Sequence, residues 1–193
     1  MGLPYPDPAL RGSEFVLRPF RADDFGAAVE MGAEDDTAKW VPAMPAADAS
    51  GVMEFVEQCR REGEMLHLVI ADHVNDTYLG EIMVVIGEHH VGELGCGLVA
   101  HARGRGIATE ALRLLASWSL STLSLGRVQV FVAEENTAAI RLAERAGFHH
   151  EGMLRSYIEH DGVRFDTAVM SLVPGDLAEL TDAQRASSSS LSG

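Results

Sequence analysis

Basic residues are scarce in this chain of 193 residues: 15 Lys and Arg stand against 29 Asp and Glu, a formal net charge of −14. That balance argues against a broad nucleic-acid surface, which needs Lys and Arg clustered along the phosphates, although it leaves room for a local basic groove. It permits a cationic substrate, and it also serves plain solubility. Cysteine is nearly absent. Cys59 and Cys96 lie far apart in the chain, so no disulfide framework and no metal-ligand spacing is visible, and a reducing cytoplasm is the expected setting. No metal cofactor is expected. No apolar run approaches the length of a bilayer span. The opening residues, Met1 to Asp7, lack the basic and apolar regions of a secretion signal. No internal repeat appears.

The remaining pattern alternates between strand and helix periods. Residues 1–13 carry three prolines and read as an extended N-terminal arm. Glu14 to Arg21 reads as a strand, and Ala22 to Asp24 as the N-cap of a helix running to about Gly32. Residues 34–47 read as a loop holding Trp40 and Met44. Residues 48–62 form a helix with Val52, Phe55, Val56 and Cys59 on one stripe, ended by Gly63. Three strands follow in series, Leu66 to Asp72, Tyr78 to Gly87 and Val91 to Ala100, joined tightly enough for hairpins. A helix then spans Ala108 to Leu120, a strand Arg127 to Ala133, and a second amphipathic helix closes at Ala146 and Gly147. Two last strands, His150 to Glu159 and Val163 to Val173, flank a turn at His160 to Gly162. The Ser-rich end reads as a mobile tail, residues 176–193. The order β-α-α-β-β-β-α-β-α-β-β predicts an α/β fold, a mixed sheet with helices on its faces, occupying residues 14–175.

One stretch has a definite chemical meaning. Arg103-Gly104-Arg105-Gly106-Ile107-Ala108-Thr109 joins a strand end to a helix start. Such a turn aims backbone N–H groups and the positive end of a helix dipole at one point, where an anion, and a phosphate best of all, is stabilised. Glycines without Cβ let the backbone approach phosphate oxygens closely. Arg103 and Arg105 can add charge or point into water.

With its surroundings, this stretch resembles the GNAT superfamily of acetyltransferases. Arg103-Gly104-Arg105-Gly106-Ile107-Ala108 fits the Gln/Arg-x-x-Gly-x-Gly/Ala signature. Leu17 to Asp24, Glu110, Trp118, Leu125 to Val128, Asn136, Arg141 to Glu144, Ala146 to Phe148, Glu151 to Arg155, Gly162 and Asp166 are similar in order and spacing to the RimJ/RimL-like branch, the ribosomal-protein N-terminal acetyltransferases. The resemblance implies the GNAT fold, with parallel strands 4 and 5 splaying into a notch for the pantetheine arm of acetyl-CoA. It also implies a pyrophosphate on the N–H groups of Arg103 to Thr109, an amine acceptor entering from the other side, and a cytoplasmic enzyme without a membrane segment. Dimers are common in the superfamily, so a homodimer is compatible with it.

On that resemblance Leu98 and Val99 offer unpaired backbone to the pantetheine amides, and Asn136 and Arg141 belong to the cofactor side. Glu93 is the candidate general base, because acetyl transfer needs a neutral amine and partial burial would raise a carboxyl pKa; the competing reading is an exposed hairpin glutamate. The branch carries Asn-x-x-Ser where this chain reads Asn136-Thr137-Ala138-Ala139, so the hydroxyl near the thioester sulfur is absent. Trp40, Glu81 and Tyr157 are candidates for the acceptor side, with Trp40 equally readable as core. Glu34, Asp35 and Asp36 can attract an amine or form a solvated face. The histidines, His67 and His101 included, read as solvated.

The leading expectation is therefore transfer of an acetyl group from acetyl-CoA to a primary amine by direct attack. A protein N-terminus is favoured over a small-molecule amine such as an antibiotic or metabolite. A non-catalytic module that binds an acyl-thioester, and an enzyme with a non-CoA acyl donor, remain alternatives.

Overall fold

The structure is a computed structural model that describes residues 2–34, 40, 48–160 and 162–177. The expected loop of residues 34–47, Met44, Asp35 and Asp36 with it, and the Ser-rich tail lie almost wholly outside the described residues. Seven strands form one sheet in the order β1-β2-β3-β4-β5-β7-β6. They are β1 (Phe15–Arg18), β2 (Met65–Asp72), β3 (Tyr78–Ile86), β4 (Val91–Leu98), β5 (Arg127–Ala133), β6 (His149–His160) and β7 (Val163–Leu172). Among the described residues four helices accompany them: α1 (Phe25–Ala33), α2 (Ala49–Glu62), α3 (Ile107–Ser121) and α4 (Thr137–Ala146). All neighbours pair antiparallel except β4 and β5. This is the mixed α/β sheet that the sequence pattern predicts.

Local chemistry sets most boundaries where they were expected. Asp48 caps α2 by accepting the Gly51 N–H at 2.8 Å. Gly63 and Gly147 end α2 and α4 in the left-handed region, φ 84° and 97°. Two boundaries differ. The first strand is shorter than Glu14 to Arg21, because Pro19 has no N–H to donate and the chain turns there. Asp24 stands at the N-cap of α1, yet its carboxylate caps no helical N–H. It accepts both Arg18 terminal nitrogens, at 2.7 and 2.8 Å, and the Arg21 N–H at 2.8 Å. Only 3% of Asp24 is exposed, and burial of this carboxylate is possible because Arg18 pairs with it.

The sheet is covered on both faces. Leu66, Leu68, Val69, Ile70 and Ala71 of β2 are fully buried, and α2 packs on this strand while α3 packs on β3, β4 and β5. Such a strand reads as a continuous apolar run because both alternating faces are inside. Of the expected α2 stripe, Val52 and Val56 are buried, but Phe55 is 39% exposed.

The N-terminal arm is packed against the body. Leu3 N–H donates to Arg60 O at 2.8 Å, and the Arg60 guanidinium stacks 4.7 Å from the Tyr5 ring centroid. At the other end of the sheet, β6 is bulged between Leu154 and Ile158. Ser156 there takes φ 53°, donates its N–H to Asp166 Oδ1 at 2.8 Å and accepts Arg164 Nη1 at 2.9 Å. The bulge brings Tyr157 against Phe131 of β5, ring centroids 5.0 Å apart.

Arg127 of β5 reaches across β7 to grip Glu151 of β6 with both terminal nitrogens, at 2.6 and 2.8 Å, and the Ser171 hydroxyl of β7 donates to the same carboxylate. Arg127 and Ser171 hold the Glu151 pKa down at about 2 from its ordinary 4.5. A depressed carboxyl stabilises the fold above its unfolded pKa and loses that effect as pH falls through the folded value. Glu151→Gln should therefore lower the melting temperature at neutral pH by about 2 °C, as befits a half-exposed pair. Melting curves of the two proteins should converge as pH drops from 4.5 toward about 2.

Candidate active site

The parallel strands stay together for only three residue pairs, Val91 with Arg127, Gly92 with Val128 and Glu93 with Gln129. Beyond Glu93 both strands continue without a shared register. The antiparallel register on the other side of β4 decides which of its backbone groups face the gap. Val99 N–H donates to Leu79 O at 3.1 Å and Gly87 N–H to Val91 O at 2.8 Å, so the odd-numbered residues of β4 bond to β3. Alternation then turns the N–H and C=O of Leu94, Cys96 and Leu98 toward the side that β5 has left. The Leu98 N–H, one of the groups expected to be open, lies on that side. The Val99 N–H, also expected to be open, is taken. Leu98 O is taken as well, accepting Arg103 Nε at 3.0 Å.

A cavity of about 470 Å³ occupies the gap and continues over the face of β3 and β4. Glu81, Met83, Glu93, Gly95, Cys96, Gly97, Phe131, Asn136, Ala139 and Tyr157 are among its lining residues. Gly95 and Gly97 keep one face of β4 bare, with Met83 the nearest neighbour of an added Cβ at Gly95. Glu93, Gly95 and Gly97 share this face with Glu81 and Met83, which pair opposite Gly97 and Gly95.

The Gly-rich turn lies past the end of β4. Gly104 and Gly106 take φ 76° and 82°, and a Cβ on either would meet nothing within 4 Å, so the turn faces open space. Gly106 is the N-cap of α3 and has no side chain to cap it. The first helical bond is Glu110 N–H to Gly106 O at 3.0 Å, which leaves the N–H groups of Ile107, Ala108 and Thr109 ahead of it. An uncapped helix start beside two left-handed glycines fits a pyrophosphate oxygen cluster. The two arginines behave differently from a pair of solvated or phosphate-facing cations. Arg103 is ion-paired with Glu34, and Arg105 with Glu14. Glu34, which the sequence left between amine attraction and a solvated face, is thus a partner of the turn.

Glu93 is exposed at the mouth of the cavity, and burial of part of its carboxyl raises its pKa. Among the described residues no counter-charge opposes this, and the shift favours proton exchange at a higher pH than an ordinary glutamate. Glu81 is set up in the opposite sense. Burial alone would raise it, but hydrogen bonds from His67 and Tyr78 outweigh burial and hold its pKa below the ordinary carboxylate value. His67 Nε2 lies 2.8 Å from Glu81 Oε2, and Tyr78 Oη donates to Glu81 Oε1 at 2.7 Å. His67, read from the sequence as solvated, is only 3% exposed, because β2 carries it inside opposite Met83 and diagonal to Glu81. This trio was missed; its signal was a charge and a histidine set in two apolar runs that pair in the sheet.

Asn136 lines the cavity and caps α4, its Oδ1 accepting the Ala139 N–H at 3.1 Å. Ala139 presents a methyl where a hydroxyl was expected from the resemblance. Trp40 and Tyr157 both line the cavity, Trp40 packing edge-on to Phe165 at 5.6 Å. Cys96, read in the sequence only as one of two distant cysteines, also lines it, with burial pushing its thiol up to about 12. Arg141 is the one expected cofactor residue of α4 that lies exposed and outside the cavity lining.

A strand parted from its parallel neighbour, followed by a glycine turn on a bare helix start, is a plan shared with known proteins. The family described as Acetyltransferase (GNAT) domain matches residues 14–149. The chain belongs to this family of N-acetyltransferases. N-acetyltransferase p20 of Bacillus licheniformis is 25% identical over 174 residues, 88% of this chain and 98% of that protein. Mycobacterium smegmatis RimJ in complex with CoA-disulfide superposes with a TM-score of 0.74 at 25% identity, over 84% of this chain and 83% of that one. This likeness supports the RimJ/RimL-like branch read from the sequence. Spermidine N-acetyltransferase from Vibrio cholerae, in complex with CoA and spermine, shares the fold with a TM-score of 0.73 at 20% identity, covering 86% and 98% of the two chains.

The bare face of β4 depends on a close crossing. A Cβ on Gly80 would stand 2.1 Å from Gly97 O and 2.9 Å from Leu98 Cα, both backbone atoms that cannot swing aside. Gly80→Ala should separate β3 from β4 at the notch and destabilise the protein by about 2 kcal/mol or more, measured by denaturant unfolding.

Proposed function

We propose that this protein transfers an acetyl group from acetyl-CoA to the primary amine of a peptide or protein N-terminus, without a covalent enzyme intermediate. The observation that carries the reading is the continuity of three features. The glycine cradle at Gly104 and Gly106, the open backbone edge of β4 and the cavity holding Glu93 follow one another along a single strand and turn.

In this reading the N–H groups of Ile107, Ala108 and Thr109 bind the pyrophosphate. The edge of β4 at Cys96 and Leu98 binds the pantetheine amides and polarises the thioester carbonyl, the strand-addition mode of peptide recognition turned on a cofactor. Asn136 orients the same arm. Glu93, with its raised pKa, accepts the proton that the ammonium must shed before it attacks. Trp40 and Tyr157 shape the acceptor side. With Ala139 in place of a hydroxyl, the leaving thiolate takes its proton from water or from the Tyr157 phenol. The likeness to RimJ supports a peptide amine as acceptor.

A small cationic amine is the second reading, and Glu81 is the observation that favours it. An ionised carboxylate inside the cavity wall would attract a second positive group on the acceptor. Release of free CoA from acetyl-CoA, followed with peptides bearing different N-termini and with spermidine in parallel, decides between them. Acetylation of no amine by a protein that binds CoA would overturn both.

Two variants test the assignment itself. Gly106→Glu puts a carboxylate in the phosphate cradle and strains a left-handed position, and should abolish CoA binding in calorimetry while the fold persists. Glu93→Gln should lower kcat about 100-fold or more with little change in CoA affinity. It should also remove the acid limb of the pH–rate profile. That limb lies above the ordinary glutamate value, and activity rises as Glu93 loses its proton.

A further inference from the structure

The cradle is more nearly neutral than its two arginines suggest, because each is already held by a carboxylate from far away in the chain. Glu14 stands immediately before β1 and pairs with Arg105. Its neighbour Ser13 donates its N–H to Glu110 at 3.0 and 3.1 Å and its hydroxyl at 2.7 Å, which moors the end of the arm to the first turn of α3. Glu34 follows α1 and pairs with Arg103, and its other oxygen accepts the Ala100 N–H at 3.2 Å. Both pairs are partly solvated, with side-chain exposures of 38% and 47% for Arg105 and Glu14 and 35% and 31% for Arg103 and Glu34.

We infer that Glu14 and Glu34 are internal counter-anions of the cofactor site, which the CoA phosphates displace from Arg105 and Arg103. The inference rests on the reading of this turn as the pyrophosphate site. A half-exposed ion pair is worth little, so it exchanges easily for a more highly charged oxyanion. Until exchange, each carboxylate cancels the attraction its arginine would exert on an incoming phosphate. The chain as a whole, at −14, repels CoA, so the two arginines are the local charges able to offset that repulsion. Glu14 and Glu34 thus set cofactor affinity below what the cradle could reach, and they keep the turn ordered when no cofactor is bound.

CoA titrations by calorimetry, without acceptor, test this on the full chain. Glu14→Gln should tighten CoA binding about two- to fivefold and steepen its weakening by salt. Arg105→Gln should weaken binding, and adding Glu14→Gln to it should then change nothing. Unchanged or weaker binding in Glu14→Gln would overturn the inference. So would the same tightening in the Arg105→Gln background, since that would come from lost overall negative charge and not from a freed arginine. A wild-type chain that binds no CoA would remove the site reading and the inference together, whereas binding that the Glu14 substitution leaves alone removes the inference only.

Discussion

A sheet strand that parts from its neighbour leaves a row of backbone donors and acceptors without partners. Inside a protein this is costly, and it persists only where something else satisfies those groups or where the gap is open. In this protein the constraint falls on β4. It is bonded to β3 along its whole length and to β5 for three residues. Everything else at the site is arranged around that departure. The bare glycines on one face, the glycine turn at its end and the cap of α4 across the gap all keep space beside a strand that would otherwise close. The strands β2 and β3 behind it, buried over most of their length, back this geometry.

Much of this was legible in the sequence, for a reason that can be stated. The elements were set by local signals: Gly63 and Gly147 as stops, period-two runs for the strands. The glycine turn was legible because its chemistry is contained in seven consecutive residues. Glu93 and Asn136 were picked out through the family resemblance, which carries strand and helix positions along with its motifs.

What escaped was contact between segments. The pairing of Glu81 with His67 depends on the register of β2 against β3. That register turns a histidine with no local reason to be buried into a buried one. The carboxylate partners of Arg103 and Arg105 lie 69 and 91 residues away and leave no local trace. The misplacement of Val99 was of another kind. Strand alternation makes neighbouring residues face opposite ways, and the phase of that alternation is fixed by β3, not by β4 itself. Asp24 shows the same limit: it has the right identity for a cap, but Arg18 holds its carboxylate.

Cys96 carries a consequence of its own. It lies in the wall of the chamber where an activated acyl group would sit, and a sulfur nucleophile in that position invites self-acylation. Burial keeps the proton on sulfur far above neutral pH, and only the thiolate attacks carbonyl carbon readily. Burial of part of the Glu93 carboxyl raises it as well, although that residue stands at the exposed mouth of the cavity. In the proposed reaction one physical effect, burial, would therefore favour a carboxylate as base and disfavour Cys96 as a competing nucleophile.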